Sequence, residues 1–120
     1  MTTEFLTSVP VVPARDVPAA VSWYRDRLGY DVHRSQDDYG IVSRGGSWIH
    51  LYGPSGIEPE RSDTMIRVGV EGLDELYAAC LAQGIVHPNG QLGRRPWGLR
   101  EFAVLDRDGN LVTFFEPEVA

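Results

Sequence analysis

Three histidines, one cysteine and three tryptophans are the side chains of this 120-residue sequence that invite a chemical reading. His33, His50 and His87 fall on different predicted elements. They lack the i, i+4 or Cys-x-x-Cys spacing that makes a metal-ligand set recognisable. Cys80 falls on the apolar stripe of a predicted helix, where a thiol behaves as a small hydrophobe rather than a nucleophile. No acid-base pair assembles around any of them. What remains is stacking and weak polar contact. Trp97 stands in Pro96-Trp97-Gly98, a loop with little core to enter, and Tyr39 follows Asp37-Asp38 at the start of a predicted strand. Trp48, His50 and Tyr52 alternate along another strand and therefore share a face. An apolar, aromatic concavity with few polar groups suits holding a ligand more than transforming one.

Two helices and eight strands must position these residues. Val17, Ala20, Val21, Tyr24 and Leu28 follow helical spacing, with Asp16 as N-cap, Pro18 in the first turn and Gly29 as terminator. Leu73, Leu76, Tyr77, Cys80 and Leu81 are expected to share the buried face of a second helix, which Asp74 and Glu75 open and Gly84 stops. Elsewhere the period is two. The predicted strands are Phe5–Val12, Tyr30–Arg34, Tyr39–Ser43, Ser47–Tyr52, Thr64–Val70, Ile85–His87, Arg100–Leu105 and Leu111–Glu116. Gly45-Gly46 and Asp106-Arg107-Asp108-Gly109-Asn110 make two hairpin turns. The order β-α-β-β-β therefore occurs twice, in modules of about residues 1–56 and 62–120 of a single domain. Corresponding points lie 55, 56 and 63 residues apart: Gly29 with Gly84, Val9 with Met65, His50 with Thr113. Length and topology repeat while the letters barely do. Two small sheets, each backed by a helix, should meet around a shared concavity.

Composition excludes several classes. At 42% hydrophobic and 23% charged, the chain is of ordinary globular type. Its short apolar stretches cannot form the roughly 20-residue helix that spans a bilayer. The N-terminus has no basic region and does not read as a secretory signal, and one cysteine cannot form an internal disulfide; both agree with a reducing cytoplasm. Seventeen acids against eleven basic residues give a formal charge of −6, which argues against nucleic acid as a partner and would attract a cationic small molecule.

Several segments together resemble the vicinal oxygen chelate superfamily, to which glyoxalases, extradiol dioxygenases and bleomycin-resistance proteins belong. They are Val9-Pro-Val-Val-Pro-Ala-Arg-Asp16, Trp23-Tyr-Arg-Asp-Arg-Leu-Gly29, Gly72-Leu-Asp-Glu-Leu-Tyr77, Pro96-Trp-Gly-Leu-Arg-Glu-Phe102 and Asp106-Arg-Asp-Gly-Asn110. The second-helix and Pro-Trp-Gly motifs are similar to the bleomycin-binding branch, and the resemblance covers essentially the whole chain. It implies an α+β fold of paired βαβββ modules forming a cup-shaped sheet, and a homodimer that exchanges its N-terminal strand near Pro10. In the enzymes of the superfamily a divalent metal sits in the cup. The corresponding positions here are Val9, His50, Met65 and Thr113. A catalytic ion needs about three ligands of suitable hardness, and only His50 ligates well, so no metal, no cofactor and no catalytic residue is expected.

The resemblance further implies a protein that sequesters a bleomycin-type drug, metal-loaded or not, in grooves at a dimer interface. The drug is a flat glycopeptide with a bithiazole and a cationic tail. Trp97 matches the family's groove tryptophan and Tyr39 its stacking aromatic, with Trp48, His50, Tyr52 and His33 on the groove wall. Arg67 is the departure. Parity places it in the cup, where close relatives carry an aromatic residue. There it would repel a cationic tail unless Glu101 or Glu116 neutralises it, and it would suit an anionic or carbonyl-bearing compound. Two other readings stand beside this one: a metal-dependent glyoxalase or dioxygenase, and a binder of a different antibiotic or metabolite.

Overall fold

The computed structural model describes residues 2–117. Its first half runs β1 (Val11–Pro13), α1 (Val17–Leu28), β2 (Asp31–Ser35), β3 (Tyr39–Arg44) and β4 (Ser47–Tyr52). The second runs β5 (Met65–Gly69), α2 (Leu73–Ala82), β6 (Gly93–Arg94), β7 (Leu99–Leu105) and β8 (Leu111–Pro117), after a 3-10 turn at Pro59–Arg61. Each half folds one four-stranded sheet, in the orders β1-β4-β3-β2 and β5-β8-β7-β6, and in each the first strand pairs parallel to the last. This is the α+β, paired-module architecture expected. The internal repeat holds down to single hydrogen bonds. Ala14 N–H donates to Tyr52 C=O and Val70 N–H to Phe115 C=O, both at 2.9 Å, at the expected offsets of 56 and 63 residues.

Helix α1 forms where its signals lie. Asp16 Oδ1 accepts from Ala19 N–H at 3.0 Å, and Gly29 closes the helix at φ 70° with its N–H on Arg25 C=O. The buried face is Val17, Ala20, Val21, Tyr24 and Leu28. Gly40 admits this face onto β3, since a Cβ there would overlap Val21 Cγ2. Helix α2 buries Leu73 and Cys80 fully and packs Leu76 and Tyr77 partly, but Leu81 is 52% exposed and is not on the buried stripe. Eight residues beyond Leu73 is some 80° off its face at about 100° per residue.

Two strands differ from expectation. The predicted Phe5–Val12 strand is reduced to β1, and Phe5 and Leu6 stand in solvent at 98% and 87% exposure. β4 begins at Ser47, and the Val11↔His50 register brings Ser8 level with that start, so earlier residues have no neighbouring strand within the chain. The Ile85–His87 segment makes a single bridge, Val86 with Val104, because the edge of β7 is shared with β6, which the sequence did not announce.

The modules are joined through the β7–β8 turn. Asp106 is buried and its carboxylate takes four donors: Tyr24 O–H at 2.7 Å, Asp108 N–H at 2.8 Å, and Asn110 N–H and Nδ2 at 2.9 and 2.8 Å. Asn110 also donates to Pro13 C=O, and Asp108 Oδ1 accepts Arg15 N–H and Nε at 3.0 and 2.9 Å. The turn of one module is thus bonded to α1, β1 and their connection in the other. Burial raises the Asp106 carboxyl pKa by more than these donors lower it, and it pushes the Tyr24 hydroxyl well above its ordinary range, with the neighbouring Asp106 charge adding to the rise. Gly109 closes the turn at φ 79°, with the Pro59 backbone occupying the space of a Cβ. Tyr24→Phe, which keeps the packing and removes one donor from a buried carboxylate, should lower the free energy of unfolding by about 1–3 kcal/mol, measured by urea denaturation; a change below ~0.5 kcal/mol would show that the bond is not an anchor.

Candidate ligand-binding site

Alternation along β4 sorts its side chains. Ile49 and Leu51 are fully buried against the helix, while Trp48 and Tyr52 are 42% and 45% exposed on the opposite face with His50 between them. On β3 the residues facing that way are Tyr39, Ile41 and Ser43, in register with Tyr52, His50 and Trp48. The Tyr39 hydroxyl lies 2.8 Å from His50 Nδ1, with the two rings edge to face at 5.4 Å. β2 carries a bulge between Val32 and Arg34, and the extra residue, His33, stacks on Trp48 at 4.6 Å with its Nε2 2.7 Å from Ser43 Oγ. Four expected site residues thus lie in two pairs on one sheet face, Tyr39 and His50 joined by a hydrogen bond and His33 and Trp48 by ring stacking, with Tyr52 at its end. Ser43 joins them unanticipated.

The second sheet presents a different surface. Met65 and Arg67 on β5 face outward while Ile66 and Val68 turn to the core. Arg67 pairs with Thr113, and the next pair on that face, Gly69 with Phe115, continues to Glu101 on β7. The Arg67 side chain crosses this diagonal. Its guanidinium lies 5.0 Å from the centre of the Phe115 ring and Nη2 donates to Glu101 Oε2 at 2.7 Å. Trp97 sits on the short β6–β7 connection, closed by Gly98 at φ 85°, and is 60% exposed. Its indole N–H donates to the same Glu101 Oε2 at 3.3 Å, and Arg95 Nε lies 3.8 Å from Oε1.

Glu101 therefore organises this half of the site. It is itself 6% exposed. Burial raises its pKa, but the Arg67 and Trp97 bonds and the charges of Arg67 and Arg95 outweigh that and hold it below the ordinary carboxylate range. The folded pKa being the lower one, the pair's contribution is present at neutral pH and is lost as pH falls through that lowered value. Parity on β7 was the available signal, since Glu101 shares a face with Ala103 and stands across one strand from Arg67. Glu116, the other candidate counter-charge, is taken by Arg100 at 3.0 Å.

Among the described residues no hydrogen bond or ring contact joins the two networks. Trp48 and Arg67 nevertheless share the wall of a groove of about 880 Å³ between the modules, together with Pro10, Arg44, Glu71 and Glu75. A smaller hollow of about 230 Å³ lies beside Glu101, floored by Ala103 and Thr113. The four positions that hold a metal in enzymes of similar fold do not fit one here. Val9 and Met65 bear no hard donor, Thr113 is 7% exposed, and His50 already engages Tyr39 through one ring nitrogen. Among the described residues no group of three His, Cys, Asp or Glu lies together as a ligand set.

Comparison with known proteins agrees with this architecture. A bleomycin resistance protein of Geobacillus stearothermophilus is 32% identical over 92% of this chain and 96% of its own length. The crystal structure of a bleomycin-binding protein from bleomycin-producing Streptomyces verticillus, complexed with copper(II)-bleomycin, superimposes with a TM-score of 0.80 at 32% identity, covering 98% of this chain and all of that one. A bleomycin resistance determinant encoded on the transposon Tn5 superimposes with a TM-score of 0.82 at 24% identity, covering 96% of this chain and all of that one, and shows the shared fold. The family model described as Glyoxalase/Bleomycin resistance protein/Dioxygenase superfamily matches residues 7–114, and the chain belongs to that superfamily.

Proposed function

We propose that this protein binds a bleomycin-type glycopeptide and sequesters it, without covalent chemistry, in grooves completed by a second copy of the chain. The observation that carries the reading is the exposure of anchored aromatics on both sheet faces. Trp97 at 60%, Trp48 at 42% and Tyr52 at 45% stand in solvent, two of them held by a hydrogen bond or a ring contact. Rigid exposed rings cost little further entropy when a flat heteroaromatic ligand stacks on them. Trp97, Tyr39, Trp48, His50, His33, Arg67 and Tyr52 are the proposed ligand contacts. The relatives with 32% identity, a resistance protein and a binding protein solved with copper(II)-bleomycin, support a drug of that class.

In this reading residues 1–120 form one domain of two modules, acting in the cytoplasm, where the single buried Cys80 stays reduced. The exposed Phe5 and Leu6 belong to an arm that leaves the sheet at Pro10. Laid on a second copy, it would bury apolar surface that a lone chain leaves wet.

Titration calorimetry with copper-loaded bleomycin should give about one site per chain, and Trp97→Ala should weaken binding tenfold or more. No heat at micromolar drug would overturn the proposal. Light scattering should report a dimer, and deletion of residues 2–8 should shift it towards monomer; an unchanged dimer would remove the arm from the interface. Elemental analysis of protein purified without chelators should find no stoichiometric zinc, nickel, manganese or iron, since finding one would favour a metalloenzyme.

A further inference from the structure

Of the features outside the stacking surface, the cluster of Arg67, Glu101 and Arg95 around Trp97 carries the furthest argument. The large groove between the modules is lined by Arg27, Arg44 and Arg67 against Glu71 and Glu75, an excess of one positive charge spread over five residues. The buried Asp106 cluster is spent on Tyr24, Asn110 and its own turn. Around Trp97 a like excess is gathered on a single carboxylate. Among the described residues Glu101 is the acid of that network, and two guanidinium groups, those of Arg67 and Arg95, face it. The surplus charge is positive, and it is positioned. Arg67 is 46% exposed, lies over Phe115 and donates through Nη2 to Glu101, and its guanidinium has further N–H donors beyond that bond. Arg67 Nη2 and Trp97 Nε1 bond the same oxygen at 2.7 and 3.3 Å, so they stand no more than the sum of those lengths, 6.0 Å, apart.

The geometry points to an acceptor-selective subsite: Arg67, held over Phe115 by Glu101, takes a carboxylate carried directly on an aromatic ring that stacks against Trp97, and disfavours a cationic substituent in that place. This inference rests on the proposed binding function and specifies the ligand chemistry of the same site. The overall charge of −6 draws cations to the protein as a whole, but a guanidinium within hydrogen-bond reach of the ring substituent outweighs a diffuse field that salt screens over about 8 Å. Glu101 is the positioning residue. Its bonds to Arg67 and Trp97 hold the donor and the stacking ring beside one another.

The test compares two copper-loaded probes that share the bithiazole and differ in its substituent, a bleomycin with a cationic amine tail and bleomycinic acid, in which a carboxylate replaces the tail. The intact protein should bind the carboxylate form about tenfold more tightly. Arg67→Met should abolish or reverse that preference, chiefly by weakening the carboxylate form. Because Arg67→Met leaves Glu101 buried without its main partner, the double variant R67M/E101Q removes the pair together and should give the same loss of preference in a folded protein. Glu101→Gln alone should narrow the preference and shift the Trp97 fluorescence, read against a Trp97→Phe background, in unligated protein. Equal affinity for the two probes in the intact protein, or a preference unchanged in R67M/E101Q, would overturn the subsite while leaving the binding function standing. Failure of both probes to bind would overturn the function and the subsite together.

Discussion

The Asp106 carboxylate is the constraint on which the two-module arrangement depends. It is buried, it accepts four hydrogen bonds, and one comes from Tyr24 on the helix of the opposite module. Removing a carboxylate from water costs several kcal/mol unless its lone pairs are met, so the module interface is stable only in the register that brings Tyr24 to it. The same turn sends Asn110 to the Pro13 carbonyl and Asp108 to Arg15. Apolar packing between the halves would tolerate sliding. This set of directed bonds does not, and it therefore fixes where each sheet face points.

What that fixing achieves is a pair of open faces. Inside each module the hydrophobic demand is met on one side of the sheet, where Ile49, Leu51, Val68, Val112 and Phe114 pack against the helices. The opposite sides keep Trp48, Tyr52, Val11 and Met65 partly in solvent. A chain that buries its core this completely has no internal use for those rings. They are held by local contacts, His33 on Trp48 and Glu101 on Trp97, that set orientation without covering the ring. Preorganised but uncovered aromatics lower the ordering cost of binding.

Much of this was legible in the sequence because it rests on local periodicity. The α1 stripe, the β4 alternation of Trp48, His50 and Tyr52, and the repeat offsets all follow from single-residue geometry. The strand at Phe5–Val12 was overextended because alternation reports a capacity to pair and says nothing of whether a neighbour exists; β4 starts too late to provide one. Leu81 was misplaced because a helix of ten residues buries fewer positions than its apolar residues allow. The His33 bulge breaks the strand alternation that the sequence reading assumes, and the contact of Glu101 with Arg67 depends on β5 lying beside β8, which is not its neighbour in the chain. Arg67 was placed in the cup by parity with Glu101 and Glu116 as candidate counter-charges, and strand order decides for Glu101, 34 residues away and two strands over.

Arg67 also shows why net charge is a poor guide to ligand charge. The chain carries −6 overall, a field that speeds the approach of cations at low ionic strength and fades with salt. Affinity is decided at contact, where partners are a few ångströms apart and water is partly excluded. At that range the Trp97 wall is cationic, since Glu101 is shared between two guanidinium groups and already bonded to one of them. An arginine placed over Phe115 adds directional donors to an aromatic surface. A wall of that kind retains the shape that a planar ligand needs and changes which polar group the ligand must carry.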